Sequence, residues 1–222
     1  MRPFTVLEFE QRTPEWHAAR AGRATGSRAA DILAKIKTGE AAARRDYRMQ
    51  LVAEILTGMP QEDGYINAAM QRGIDKEPDA RAAYEALTGH LVTSTGFLAH
   101  TSLRAGCSLD GHLGDFETLV SFKCPKSSTH IRYLRGGKFP AEHRAQMLHE
   151  LWITGAQAYD FLSFDDRFPE ALQVFYVRVP RDETDVAEYA REARAFLTEV
   201  NQEVAALLTM TNLRGTLAAV LA

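Results

Sequence analysis

Two short strings hold the residues best suited to chemistry: Gly106-Cys107-Ser108-Leu109-Asp110-Gly111, and downstream Leu119-Val120-Ser121-Phe122-Lys123-Cys124-Pro125. Asp110 ends one expected strand and Lys123 ends the next, so a hairpin between them sets an acid beside an amine. Side chains alternate along a strand, which puts Ser121 and Lys123 on one face and turns Phe122 to the other, into the core. A carboxylate at position 121 would complete a metal site there. Taken singly, each residue has a plainer reading. Asp110-Gly111 reads as a simple turn and Lys123 as a solvated strand end. Glu77 reads as a helix-surface partner of Arg81 at i,i+4, a contact of only about 0.2–0.5 kcal/mol.

The elements that must position these residues emerge from periodicity and punctuation. A helical pattern over 13–33 is broken at Gly22-Arg23-Ala24-Thr25-Gly26-Ser27, with Ser27 as a cap for the helix resuming after the break. A helix over 41–56, with Met49, Val52, Ala53 and Leu56 on its packed face, ends at Gly58-Met59-Pro60. Residues 67–87 read as helix carrying Glu77, with a bend or a fresh start at Pro78. Strands are expected at 91–95, 104–109 and 117–123, the last closed by Cys124-Pro125 because proline cannot donate to a ladder. Helices are expected at 130–134 and 140–154, then strands at 158–164 and 172–179. A long amphipathic helix over 183–208 repeats Ala190, Ala193, Phe196, Val200, Val204 and Leu207 at helical spacing.

Composition narrows the class without choosing the partner. With 222 residues and 45% apolar content the chain can bury a core as one domain over 1–222, without disulfides or structural zinc. A net charge of -3 argues against indiscriminate nucleic-acid binding, though a local basic channel fits inside a neutral total. The two cysteines, Cys107 and Cys124, form no CxxC pair, and the seven histidines form no ligand cluster. No run approaches the roughly 18 apolar residues of a membrane span, so the expectation is a soluble, cytoplasmic protein with no membrane partner.

Together and in order, the strings resemble the PD-(D/E)xK nucleases, and more closely the lambda-exonuclease branch, the YqaJ-type viral recombinase family. Its S-P-D-G and E-x-K-C-P signatures are similar to Ser108-Leu109-Asp110-Gly111 and Ser121-Phe122-Lys123-Cys124-Pro125. Its W-x-x-x-R-x-G-x-x-T-x-S stretch is similar to the run from Trp16 through Arg20 and Gly22 to Thr25 and Ser27. Its G-x-x-x-E-x-x-A-R helix is similar to Gly73 through Glu77 to Arg81, and its late glutamine helix to Ala145-Gln146-Met147 with Leu151-Trp152-Ile153-Thr154. The resemblance covers about residues 11 to 181, and four ordered motifs are far more specific than a lone aspartate and lysine.

The resemblance implies an α/β fold, restriction-endonuclease-like, with a mixed central sheet flanked by helices. It implies Mg²⁺ or Mn²⁺, two ions, with Asp110, Glu77 and the Phe122 backbone carbonyl as ligands. Lys123 would orient or help deprotonate the attacking water, and Gln146 would join the catalytic group. Arg20, Ser27 and Ser108 would receive a DNA 5′-phosphate. The arginine the family carries after C-P is missing, since Thr129 or His130 falls there, and Arg132 is the nearest substitute. The implied activity is 5′→3′ digestion of one strand of linear double-stranded DNA, leaving a 3′ overhang. The implied partners are two further copies in a homotrimer and a single-strand annealing protein. Trp16 and Trp152 read as core anchors.

The chain departs from the pattern at Ser121, where the family has a carboxylate. A neutral hydroxyl removes one negative charge and weakens cation binding. Glu117 shares the strand face, but four residues at roughly 3.3 Å each leave it about 13 Å away. Asp115 or another loop carboxylate is the remaining candidate to reach in. Three readings stay open: an active enzyme with a rearranged site, an inactive DNA-end-binding or recombination scaffold of the same fold, or an engineered substitution that traps substrate. A helicase-linked nuclease with an iron–sulfur cluster would need more cysteines than two.

Overall fold

A computed structural model describes residues 2–61, 67–181 and 183–220, with side chains described except at 183–184 and 211–220. The elements are β1 (Phe4–Leu7), α1 (Pro14–Arg20), β2 (Ala24–Thr25), α2 (Ala29–Ile32), α3 (Ala42–Thr57), α4 (Ala68–Thr88), β3 (Phe97–His100), β4 (Ala105–Ser108), β5 (Gly111–Leu113) and β6 (Thr118–Lys123). They continue with α5 (Ser127–Gly136), α6 (Arg144–Thr154), β7 (Ala158–Phe164), β8 (Val174–Pro180) and α7 (Glu183–Val220). The strands form two mixed four-stranded sheets, ordered β1-β3-β4-β2 and β5-β6-β7-β8, with parallel pairs β2/β4 and β6/β7. The expected α/β architecture is therefore present, its mixed β-structure divided into two ladders.

Strands β6 and β7 are buried on both faces, and their alternation separates two cores. Leu119, Tyr159 and Phe161 pack with α3, α6 and α7 in the larger one. Val120, Phe122, Leu162 and Phe164 pack with Ala80 and Tyr84 of α4 in the smaller one. Ser121 shares the parity of Leu119, so it faces the α6 side. Helix α4 is fixed to the opposite side by the Tyr84 hydroxyl, which donates to Asp160 at 2.5 Å, while Arg178 holds that buried aspartate with two donors at 2.7 Å. Helix α6 is fixed by the fully buried His149, whose Nε2 lies 3.0 Å from the Gly106 carbonyl and whose Nδ1 lies 2.7 Å from the Tyr189 hydroxyl of α7. The carbonyl requires Nε2 to donate, which leaves Nδ1 to accept.

Several local expectations are corrected. Ser27 caps no helix: it sits exposed in a 3-10 turn, Gly26–Arg28, while Thr13 caps α1 by accepting from the Trp16 N–H at 3.3 Å. Helix α3 buries Tyr47, Leu51 and Val52, and leaves Met49 and Leu56 exposed. Stacking of Tyr47 on Phe196 of α7 sets that rotation. Residues 91–95 form no strand beyond a single bridge from Thr93 to His112. Side chains of α4 take the backbone groups a ladder would need: Glu85 accepts from the Val92 N–H at 2.9 Å, and Arg81 donates to the Val92 carbonyl. Helix α4 runs unbroken through Pro78, and α7 extends past 208. Among the described residues no helix is long and apolar enough to cross a membrane.

Candidate active site

The β5/β6 pairing sets Gly111 opposite Val120 and His112 opposite Leu119. One step further along that register, Asp110 lies opposite Ser121. Its Oδ2 accepts from the Phe122 N–H at 2.8 Å and from the Ser121 hydroxyl at 3.0 Å, and Lys123 Nζ stands 3.5 Å away. The expected hairpin geometry is thus present. Burial by itself would lower the Lys123 pKa, but Asp110 first, then Glu150 and Glu77, outweigh it and raise the ammonium above its ordinary value. Lys123 is therefore a charged donor at neutral pH. Orienting a water suits it, whereas accepting a proton does not.

Glu77 approaches from the α4 side. Asp110, Glu77, Phe122, Arg12 and Arg81 line one cleft of about 280 Å³. This cleft opens along residues 8–12 and 94–96, where the adjoining space is about 510 Å³. Burial, and secondly the Asp110 charge, raise the Glu77 carboxyl above its usual range, with Arg12, Lys123 and Arg81 pulling the other way. Two acids lining one solvent-open cleft, the Asp110 charge raising the Glu77 carboxyl, form a site whose repulsion a divalent cation would relieve. Hard cations favour such oxygen donors. Among the described residues no three His, Cys, Asp or Glu side chains converge on one point. Of the expected ligands, Asp110, Glu77 and Phe122 all line this cleft.

The residues expected to hold a 5′-phosphate are joined in part. Trp16 is buried, but its role exceeds anchoring: its Nε1 donates to Ser108 Oγ at 3.0 Å, and the Arg20 guanidinium stacks 4.2 Å from its ring centroid. Trp16 thereby fixes Arg20 and Ser108 relative to each other, with Ser108 two residues from Asp110. Ser27 lies on the neighbouring turn, 3.3 Å from Thr25 Oγ1. Arg132 is not drawn into this group. It is 64% exposed, paired with Glu142 at 2.7 Å and set against Tyr133. Trp152 is a core residue as expected.

Neither proposed stand-in for the carboxylate at 121 reaches the site. Asp115 is exposed and pairs with Arg2, and Glu117 is exposed with its carboxylate against Gly114. Gln146 instead leads to a residue that motif reading missed. Its amide donates to Glu150 Oε1 at 2.8 Å, and Glu150 Oε2 accepts from the Tyr159 hydroxyl at 2.9 Å. Tyr159 pairs with Leu119 across β6 and β7, two residues before Ser121 and on the same sheet face. Glu150 is 3% exposed. The available signal was a glutamate inside the otherwise buried run from Met147 to Ile153, four residues after Gln146 and hence on the same helix face.

Comparison with known proteins identifies the family and the fold. The profile of the YqaJ-like viral recombinase domain matches residues 15–157. The chain belongs to the YqaJ-like viral recombinase family. A crystal structure of an alkaline exonuclease of this fold, LHK-Exo from Laribacter hongkongensis, superposes with a TM-score of 0.80 at 41% identity, covering 90% of this chain and 98% of that one. LHK-Exo in complex with dAMP superposes at 0.81 with the same identity and coverage. A phage-related exonuclease from Haemophilus somnus 129PT, at 13% identity, TM-score 0.62 and coverage of 83% and 96%, shares the fold. Among curated proteins none matches the chain. Family and relatives together support a nuclease role.

Proposed function

We propose that this viral recombinase-family protein is a Mg²⁺- or Mn²⁺-dependent 5′→3′ exonuclease that digests one strand of linear double-stranded DNA and leaves a 3′ overhang for single-strand annealing. The observation that carries the proposal is that Asp110 and Glu77 line one open cleft, with Lys123 3.5 Å from Asp110 and the Arg20–Trp16–Ser108 group tied to the strand that leads into Asp110. Asp110 and Glu77, with the Phe122 carbonyl, would hold the cation. When bound, that cation supplies Lewis acidity toward the phosphodiester and lowers the proton affinity of water. Lys123 donates to the attacking water and sets its line of approach, while Asp110 keeps the ammonium charged. Arg20 and Ser108, with Ser27 beside them, receive the terminal 5′-phosphate and fix which bond meets the acids.

The dAMP bound by the 41%-identical relative belongs to the product class that mononucleotide release would yield. Digestion that leaves a single strand implies a partner that anneals it. A trimer closed around the duplex would give processivity, because a threaded substrate cannot leave sideways. The test is incubation with linear duplex DNA labelled at one 5′-phosphorylated end, in Mg²⁺ and in Mn²⁺. Labelled mononucleotide is expected from the wild type, falling by about 100-fold or more in Lys123→Ala and Asp110→Ala. Tight binding of duplex ends with no nucleotide released in either metal would replace this reading with that of a non-catalytic scaffold.

A further inference from the structure

The position where the family carries a strand carboxylate is occupied by Ser121, yet the space around it is not without an acid. Serine has three fewer side-chain heavy atoms than glutamate, and the face it vacates is covered by α6. From that helix Glu150 enters, nine-tenths buried and more, on the side of β6 opposite Glu77. Both neighbours that could obstruct it are small. One is Ser121 itself. The other is Gly26, where an added Cβ would stand only 3.2 Å from Glu150 Oε1. Two polar groups, Ser121 donating to Asp110 and Tyr159 with Gln146 donating to Glu150, lie within an otherwise apolar wall. We propose that Glu150 is the carboxylate missing from position 121, relocated from strand β6 to helix α6, and that it ligates the divalent cation together with Asp110.

This inference rests on the metal-dependent reading of the site and deepens it. Asp110 sits at the strand ends, where both Glu77 and Glu150 feel its charge. The two glutamates approach from the two sides of β6. Each helix thus offers one acid to a shared aspartate, an arrangement suited to a pair of ions. Tyr159 and Gln146 each donate one hydrogen bond to Glu150 and so act as positioning residues for its carboxylate. Burial, opposed by Gln146 and reinforced by Asp110, raises the Glu150 pKa to about 7, with Lys123 and Tyr159 pulling the other way. Ligation requires Glu150 to exchange one of its two neutral donors for the ion.

The test uses the full chain and measures Mn²⁺ binding by calorimetry and by the loss of the free-ion electron paramagnetic resonance signal. The variants are Glu150→Gln, Asp110→Asn and the exchange Ser121→Glu with Glu150→Ser, each checked for folding by circular dichroism. Glu150→Gln should weaken Mn²⁺ binding by about 10- to 100-fold. The exchange variant, with its carboxylate returned to the strand, should recover binding and Mg²⁺-dependent DNA cleavage. Should Glu150→Gln bind Mn²⁺ like the wild type while Asp110→Asn does not, the relocation is wrong and the metal-dependent reading survives. Should the wild type itself bind no Mn²⁺, both fall. If Glu150→Gln fails to fold, the exchange variant decides: folded without Mn²⁺ binding, it overturns the relocation.

Discussion

A glutamate enclosed by a helix and a sheet should make folding stability depend on pH with a sign opposite to that of ordinary carboxylates. The perturbation is Glu150→Gln, which keeps an oxygen for the Gln146 amide and removes the titrating group. Burial raises the Glu150 carboxyl from its ordinary 4.5 to about 7. Its folded pKa lies above its unfolded one, so its contribution is fully present below pH 4.5 and is lost as pH rises through 7. The gap, at about 1.4 kcal/mol per pH unit, comes to about 3 kcal/mol. Urea unfolding of both proteins in EDTA, from pH 4.5 to 8, isolates that amount, because groups that do not interact with Glu150 cancel in the difference. Relative to the wild type, Glu150→Gln should gain about 3 kcal/mol across the range, most of it between pH 5 and 7. A difference that stays flat, or one that grows as pH falls, would refute the claim that this carboxyl is buried and protonated when folded.

The adjacent residue predicts the reverse slope. His149 is lowered by burial from 6.5 to about 4, so its contribution is present above pH 6.5 and is lost as pH falls toward 4. In EDTA the contributions of the two neighbours should nearly cancel between pH 4.5 and 6.5, and Glu150→Gln should leave His149 and His143, both lowered to about 4, to make stability rise with pH over that range. At the flank of the site, Arg20→Ala removes the guanidinium held on Trp16. It should reduce the preference for 5′-phosphorylated over 5′-hydroxyl ends by about 10-fold, as competition between the two labelled duplexes would read, with little change in Mn²⁺ binding.

How far the chain's own order discloses the site depends on the range of the forces involved. The Asp110–Lys123 pairing was legible because a hairpin is local: strand parity and a short connection fix which side chains meet. The start of β3 was not, since residues 91–95 have the composition of a strand, yet their backbone groups are taken by Arg81 and Glu85 from a preceding helix. The packed face of α3 was misread for a similar reason. Tyr47 finds its stacking partner, Phe196, far along the chain, and one aromatic contact outweighs a weak amphipathic pattern. Trp16 read as a core anchor, and burial agrees, but its indole N–H also sets the place of Ser108.

The Ser121 departure shows the same limit at the site itself. Judged along β6, a serine there subtracts a charge, and the nearest acids on that strand and loop, Glu117 and Asp115, point elsewhere. Judged across space, the residue shares its sheet face with Tyr159, whose hydroxyl donates to a carboxylate carried by α6. A cation responds to the oxygens around it and to their charge, whichever element supplies them. The helix route has a physical consequence that a strand carboxylate would not have: Glu150 is held by two neutral donors in an apolar wall. Its ionisation is therefore coupled both to folding and to the arrival of positive charge. Metal binding should accordingly release protons near neutral pH, in proportion to the fraction of Glu150 still protonated.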